Sequence, residues 1–94
     1  MEVENLNSVL VYYINNKDKI IGKLGNVSKK DSLKNIRPKI KKMNQNDEFV
    51  KLKNDNNFST LDKDIEEDFS LGDILTEENG IYQIYIKASK STLQ

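Results

Sequence analysis

Whatever chemistry this chain of 94 residues performs falls to carboxylates, lysines, tyrosines and hydroxyls, because it contains neither cysteine nor histidine. That excludes Ser-His-Asp and Cys-His catalysis, disulfide staples, the common zinc sites and any histidine switch titrating near neutrality. The densest carboxylate cluster is Asp62, Asp64, Glu66, Glu67 and Asp68. Asp62, Asp64 and Glu66 alternate as calcium ligands can, but a helix-flanked calcium loop needs glycine at its sixth position and a bidentate glutamate at its twelfth. Counted from Asp62, those positions hold Glu67 and Asp73. No metal is expected there. Paired acids such as Asp64 and Asp68 suit proton transfer only inside a pocket, and a chain this short buries too little for one. No catalytic residue is assigned, no enzyme activity is expected and no cofactor is called for.

The charges are sorted along the chain although Lys and Arg balance Asp and Glu at 15 each. Residues 29–42 carry a net +6, and residues 62–78 a net −7. Such a dipolar domain steers a charged partner onto one pole or the other. The basic run could grip phosphates. Against nucleic acid stand a single Arg and the absence of any aromatic among the lysines on which a base could stack.

These side chains need elements to hold them. Residues 8–14, Ser-Val-Leu-Val-Tyr-Tyr-Ile, are β-branched and aromatic, and the polar residues 15–18 lead into a second run over 19–25. The pair reads as an antiparallel hairpin, with Gly22 marking a bulge or a close backbone approach. Leu33, Ile36, Ile40 and Met43 then recur at helical spacing behind the candidate caps Ser28, Asp31 and Ser32. Pro38 either lies in the first turn of a helix starting near Ile36 or bends a longer one, and the shared apolar stripe favours a continuous bent helix over 32–43. A third strand is expected over 48–53, a turn over 54–57, a short fourth strand over 58–60 and a last strand over 81–87. Between them Leu61, Ile65, Phe69, Leu71, Ile74 and Leu75 are core candidates, with one turn of helix over 69–75. Tyr12 and Tyr13 on the first strand are expected to pack against Tyr82 and Tyr85 on the last.

The order ββ-α-β-β-short helix-β resembles the ubiquitin-like β-grasp superfamily over residues 9–87. Phe49-Val-Lys-Leu-Lys53, Ser70-Leu-Gly-Asp-Ile-Leu75 and Gly80-Ile-Tyr-Gln-Ile-Tyr-Ile86 stand where that family has its third strand, late helical turn and last strand. The resemblance implies an α+β fold: a four- to five-stranded mixed sheet with one main helix packed across it. It implies one domain over 8–87 between a flexible N-terminus, 1–7, and a flexible C-terminal tail, 88–94. The chain ends Ser91-Thr-Leu-Gln94 rather than Gly-Gly, so a non-conjugated, adaptor-like protein-interaction module, part of a larger protein, is expected rather than a modifier. Ras-association and Ras-binding members dock the acidic effector strand of a small GTPase on a basic second strand and helix. By that likeness Lys19, Lys23, Lys30, Lys34, Arg37 and Lys41 would bind the partner. Head-to-tail members of PB1 type suggest instead that another copy docks on the acidic pole of Asp62, Asp64, Glu66, Glu67 and Asp68. A nucleic-acid-binding module ranks third. No apolar run approaches the ~20 residues that span a bilayer, so no membrane insertion and a cytoplasmic location are expected.

Overall fold

The computed structural model describes residues 5–54 and 57–88. Eight strands run through these residues: β1 (Asn5–Leu6), β2 (Val9–Tyr13), β3 (Asn16–Leu24), β4 (Val27–Ser28), β5 (Glu48–Asn54), β6 (Asn57–Leu61), β7 (Thr76–Glu78) and β8 (Ile81–Lys87). Two helices of four residues each, α1 (Leu33–Ile36) and α2 (Leu71–Ile74), and 3₁₀ turns over Arg37–Lys39 and Lys63–Asp68 complete the fold. One mixed sheet has the order β3-β2-β8-β5-β6, with β7 also paired to β8, and β1 pairs with β4 apart from it. β2 and β8 lie parallel at its centre and the other pairs are antiparallel.

Strand alternation divides the side chains between the two faces. Val9, Val11, Leu24, Ile84, Ile86, Phe49 and Leu61 point to one side and pack with Leu33, Ile36, Ile40, Leu71 and Ile74 in a single core. Leu6 and Val27, from the β1–β4 pair, close its end. Ile21 sits at a register shift between the pairs Val11–Gly22 and Tyr12–Ile20, so the irregularity foreshadowed by Gly22 is present. The hairpin turn is tighter than the polar residues suggested, falling at 14–15, with β3 already under way at Asn16.

The β-grasp layout of four to five strands under one main helix is corrected. The main sheet contains six strands, a second pair stands apart, and the expected helix over 32–43 survives only as α1 and the adjoining 3₁₀ turn. Ser32 does cap α1, its hydroxyl accepting from the Asn35 amide at 3.3 Å. Pro38 then falls in the first positions of the 3₁₀ turn, and Ile40 turns to an extended conformation. A proline has no amide to give to the helical ladder. Leu33, Ile36 and Ile40 still reach the core, because a tightened turn followed by an extended residue keeps them on one side. Ile65, an expected core residue, is 37% exposed. Asn5 and Leu6 belong to a strand rather than to a flexible N-terminus. The remaining tail assignments, 1–4 and 89–94, and the centre of the turn at 55–56 lie outside the described residues.

β7 and β8 join through Asn79 and Gly80, whose φ angles of 54° and 81° suit a two-residue hairpin turn of the type that matches strand twist. Gly80→Ala places a side chain in this left-handed conformation and is expected to lower stability by about 1 kcal/mol. Urea denaturation checks it: the midpoint falls while the slope stays unchanged.

Candidate functional site

The basic and acidic residues that the sequence sets apart meet in the folded chain. Arg37, at the end of α1, turns inward. Its Nε donates to both carboxylate oxygens of Glu66, at 2.9 and 3.1 Å, and its Nη2 donates to Glu66 Oε2 as well. The same guanidinium donates to the carbonyls of Asn44 at 3.3 Å and Asp47 at 2.6 Å, and stands 5.6 Å from the Phe49 ring centroid. The side chains of Arg37 and Glu66 are 16% and 2% exposed, so this is an internal ion pair with fork geometry. Asp47 is buried beside it. Its Oδ2 accepts from the Asn44 amide at 2.9 Å and from the Tyr13 hydroxyl at 3.2 Å. Burial first, and then the Asp47 charge, push the Tyr13 hydroxyl above its usual pKa. Among the described residues no buried side-chain polar atom lacks a partner. The network ties the segment between the 3₁₀ turn and β5 to Glu66 and Tyr13.

The expected partner-binding set therefore divides. Arg37 is withdrawn into the interior and Lys34, on the exposed side of α1, stands 3.6 Å from Glu67. From the acidic pole Glu66 and Glu67 are thus engaged within the chain. Asp62, Asp64 and Asp68 remain exposed, and no three acidic side chains converge as a metal cluster among the described residues. Lys30 lies in the turn after β4, its amide donating to Ser28 Oγ at 3.1 Å.

Lys19, Lys23 and Lys41 remain. Among the described residues β3, nine residues long, is an edge strand hydrogen-bonded only to β2. Next to it the turn over 39–42 folds back towards Gly22, and the two segments enclose a shallow depression of about 340 Å³. Ile21, Gly22 and Ile40 form its apolar floor, and Lys23, Lys39, Lys41 and Lys42 its rim. No carboxylate lines it among the described residues. Lys19 projects from the same edge, exposed. Lys39 and Lys42 were missed because a continuous helix would have spread them around its circumference. Pro38 was the available signal, since a helix ended there leaves Lys39-Ile-Lys-Lys42 as one compact turn.

The expected tyrosine contact is present in one pair: the Tyr12 and Tyr85 rings lie 5.9 Å apart on adjacent strands. At the far end of the sheet, the Glu48 carboxyl is raised above its usual pKa. Burial is the main cause, followed by a hydrogen bond to Asp62 and repulsion from its charge. Among the described residues no helix is long and apolar enough to cross a membrane.

No protein-family model, curated protein or solved structure matches the chain. The likeness to the ubiquitin-like superfamily rests on residue pattern alone.

Two measurements test this electrostatic account. Arg37→Met leaves the Glu66 carboxylate buried without its partner and is expected to cost about 3–5 kcal/mol in urea denaturation. Lys34→Met, which breaks an exposed pair, should cost no more than about 1 kcal/mol, and adding Glu66→Met to Arg37→Met should restore much of the loss. For Glu48 the sign is the reverse of a stabilising carboxylate. Its raised folded-state pKa means that the cost is fully present above that pKa and is relieved as pH falls through it. Glu48→Gln should therefore be more stable than the parent at neutral pH, with the gap closing as pH falls from the raised value into the ordinary glutamate range. Denaturation midpoints of both proteins across that range check it.

Proposed function

We propose that the chain is a non-catalytic protein-interaction module that takes up an extended, acidic segment of a partner protein along β3. One observation carries this reading: a nine-residue edge strand runs beside a depression with an apolar floor, a rim of four lysines and no lining carboxylate among the described residues. An incoming strand would satisfy the unpaired amides and carbonyls of that edge, and alternate side chains would face the depression. Lysines at 19, 23, 39, 41 and 42 would attract acids on that strand, raising the rate of encounter and fixing its register. The acidic effector strand of a small GTPase is one partner of this chemistry.

The support for a binding role over catalysis is the state of the ionisable groups. The buried carboxylates of Glu66 and Asp47, with Arg37 and Tyr13, bond to one another and to backbone. The edge lysines are exposed and fit recognition of charge better than proton transfer. Self-association through the two poles draws less support, since Arg37 and Lys34 already pair with Glu66 and Glu67.

The test is an amide NMR titration with an extended peptide that alternates Glu or Asp with Val, and with a control in which each acid is replaced by Lys. The acidic peptide is expected to shift the amides of β3 and of the turn over 39–42, with weaker binding as salt rises. Lys41→Glu combined with Lys42→Glu lies outside the sheet ladder and should weaken binding at least tenfold without changing the fold. Equal binding of the two peptides, or shifts confined to other strands, overturns the proposal.

A further inference from the structure

The depression beside β3 holds more positive charge than an incoming strand of carboxylates can match. Side chains on one face of a strand stand about 6.6 Å apart. The depression borders only Ile21–Lys23 of β3, so a partner strand along that edge sets one or at most two side chains over it. Lys23, Lys39, Lys41 and Lys42 rim it, all exposed, and among the described residues none of the four forms an ion pair with an acid. Two docked carboxylates would leave two of these charges unmatched. Three of the lysines belong to one turn, and that turn is held: the Met43 amide closes it on the Ile40 carbonyl, and beyond it Arg37 and Asp47 fasten the chain at Asn44 and Asp47. Its backbone needs no further ordering to receive a ligand.

The floor narrows what sits there. Gly22 has no left-handed φ, and a Cβ built on it would meet Ile40 Cγ2 at 3.6 Å and Val11 Cβ at 3.7 Å, ordinary contact distances. Neither backbone conformation nor crowding calls for a glycine, and the bare backbone leaves room for a group from an opposing strand. Ile21 and Ile40 are 6% and 3% exposed, so the floor is closed and has no slot for an aromatic ring. The group that fits is short and more than singly charged. Given uptake of a strand along β3, on which this inference rests, we propose that the bound segment carries a phosphoserine or phosphothreonine opposite Gly22, its phosphate among Lys23, Lys39, Lys41 and Lys42. A phosphate monoester brings a charge of about −1.5 to −2 and three acceptor oxygens at neutral pH. One such side chain does the work of two carboxylates, and an acid two residues away raises the total to about three charges against four lysines. Ammonium groups on flexible stems reach the phosphate from both sides, one from β3 and three from the turn. Uptake of the segment then follows the phosphorylation state of the partner.

Calorimetric titration of the whole chain with extended peptides of alternating Glu and Val tests it, the central Glu being kept or replaced by Ser, phosphoserine or phosphotyrosine. The phosphoserine peptide is expected to bind at least about tenfold tighter than the Glu peptide, the Ser peptide more weakly than either, and phosphotyrosine to gain less than phosphoserine. Lys39→Gln combined with Lys41→Gln, both exposed and outside the sheet ladder, should remove most of that gain while the urea midpoint stays near that of the parent. A phosphoserine peptide with proline on each side of the phosphoserine lacks amides to pair with β3 and should lose its affinity. If the Glu peptide binds and phosphoserine binds no tighter, this inference falls and uptake of acidic strands stands; if no peptide binds, both fall. Phosphotyrosine bound as tightly as phosphoserine overturns the short side chain. A gain that survives the lysine changes, or equal binding of the proline peptide, places the phosphate elsewhere or without a strand and overturns the proposal.

Discussion

The buried pair of Arg37 and Glu66 decides how the middle of the chain is laid down. Residues 40–47 lie in no helix or strand; amides of Met43 and Asp47 close two turns on the carbonyls of Ile40 and Asn44, and the guanidinium adds donors to the carbonyls of Asn44 and Asp47 while its remaining donors face the carboxylate of Glu66. One side chain thereby joins two turns of this segment to the distant 3₁₀ turn that carries Glu66. Removing two charges from water is costly, and the geometry must be good enough to offset that cost. Here the fork meets the carboxylate edge-on, with the Phe49 ring centroid 5.6 Å from the guanidinium. Asp47 repeats the solution on a smaller scale, with the Asn44 amide and the Tyr13 hydroxyl. The turn that forms the rim of the basic depression is thereby fixed from within.

Much of the sheet is legible in the residue pattern. The runs that become β2 and β8 are dense in β-branched and aromatic side chains, and those that become β3, β5 and β6 carry shorter apolar stretches between polar turns, a pattern that favours an extended conformation. β1, β4 and β7 have two or three residues each, too few for any periodicity to show, and they form because neighbouring strands offer free backbone groups. The helix over 32–43 failed for a different reason. An apolar stripe at helical spacing says which side chains face inward, and a turn, a 3₁₀ segment and an extended residue can meet the same requirement when a proline interrupts the ladder. The site was partly legible. Lysines on the second strand could be read, but no local pattern says that Arg37 looks inward, since its partner lies in a distant acidic stretch whose side chains would otherwise all be read as solvated.

A sheet edge flanked by lysines has a double character. Unpaired backbone groups invite any extended chain, and lysine is among the residues that proteins use to keep indiscriminate pairing away from such edges. Like charges would make two β3 edges repel each other, while a strand bearing acids would be welcomed. Sign, more than shape, would select the partner.

The parallel pairing of β2 with β8 has a consequence for the order of events in folding. It joins strands from near the two ends of the described chain at the very centre of the sheet, so the most distant segments must meet before the middle of the layer exists. Closing so large a loop comes early in entropy cost and late in reward, which slows folding relative to a protein built on local contacts. During synthesis the hairpin and the β5–β6 ladder would emerge as two half-sheets with nothing between them, each presenting an open side until Ile81–Lys87 leaves the ribosome and slides into the gap.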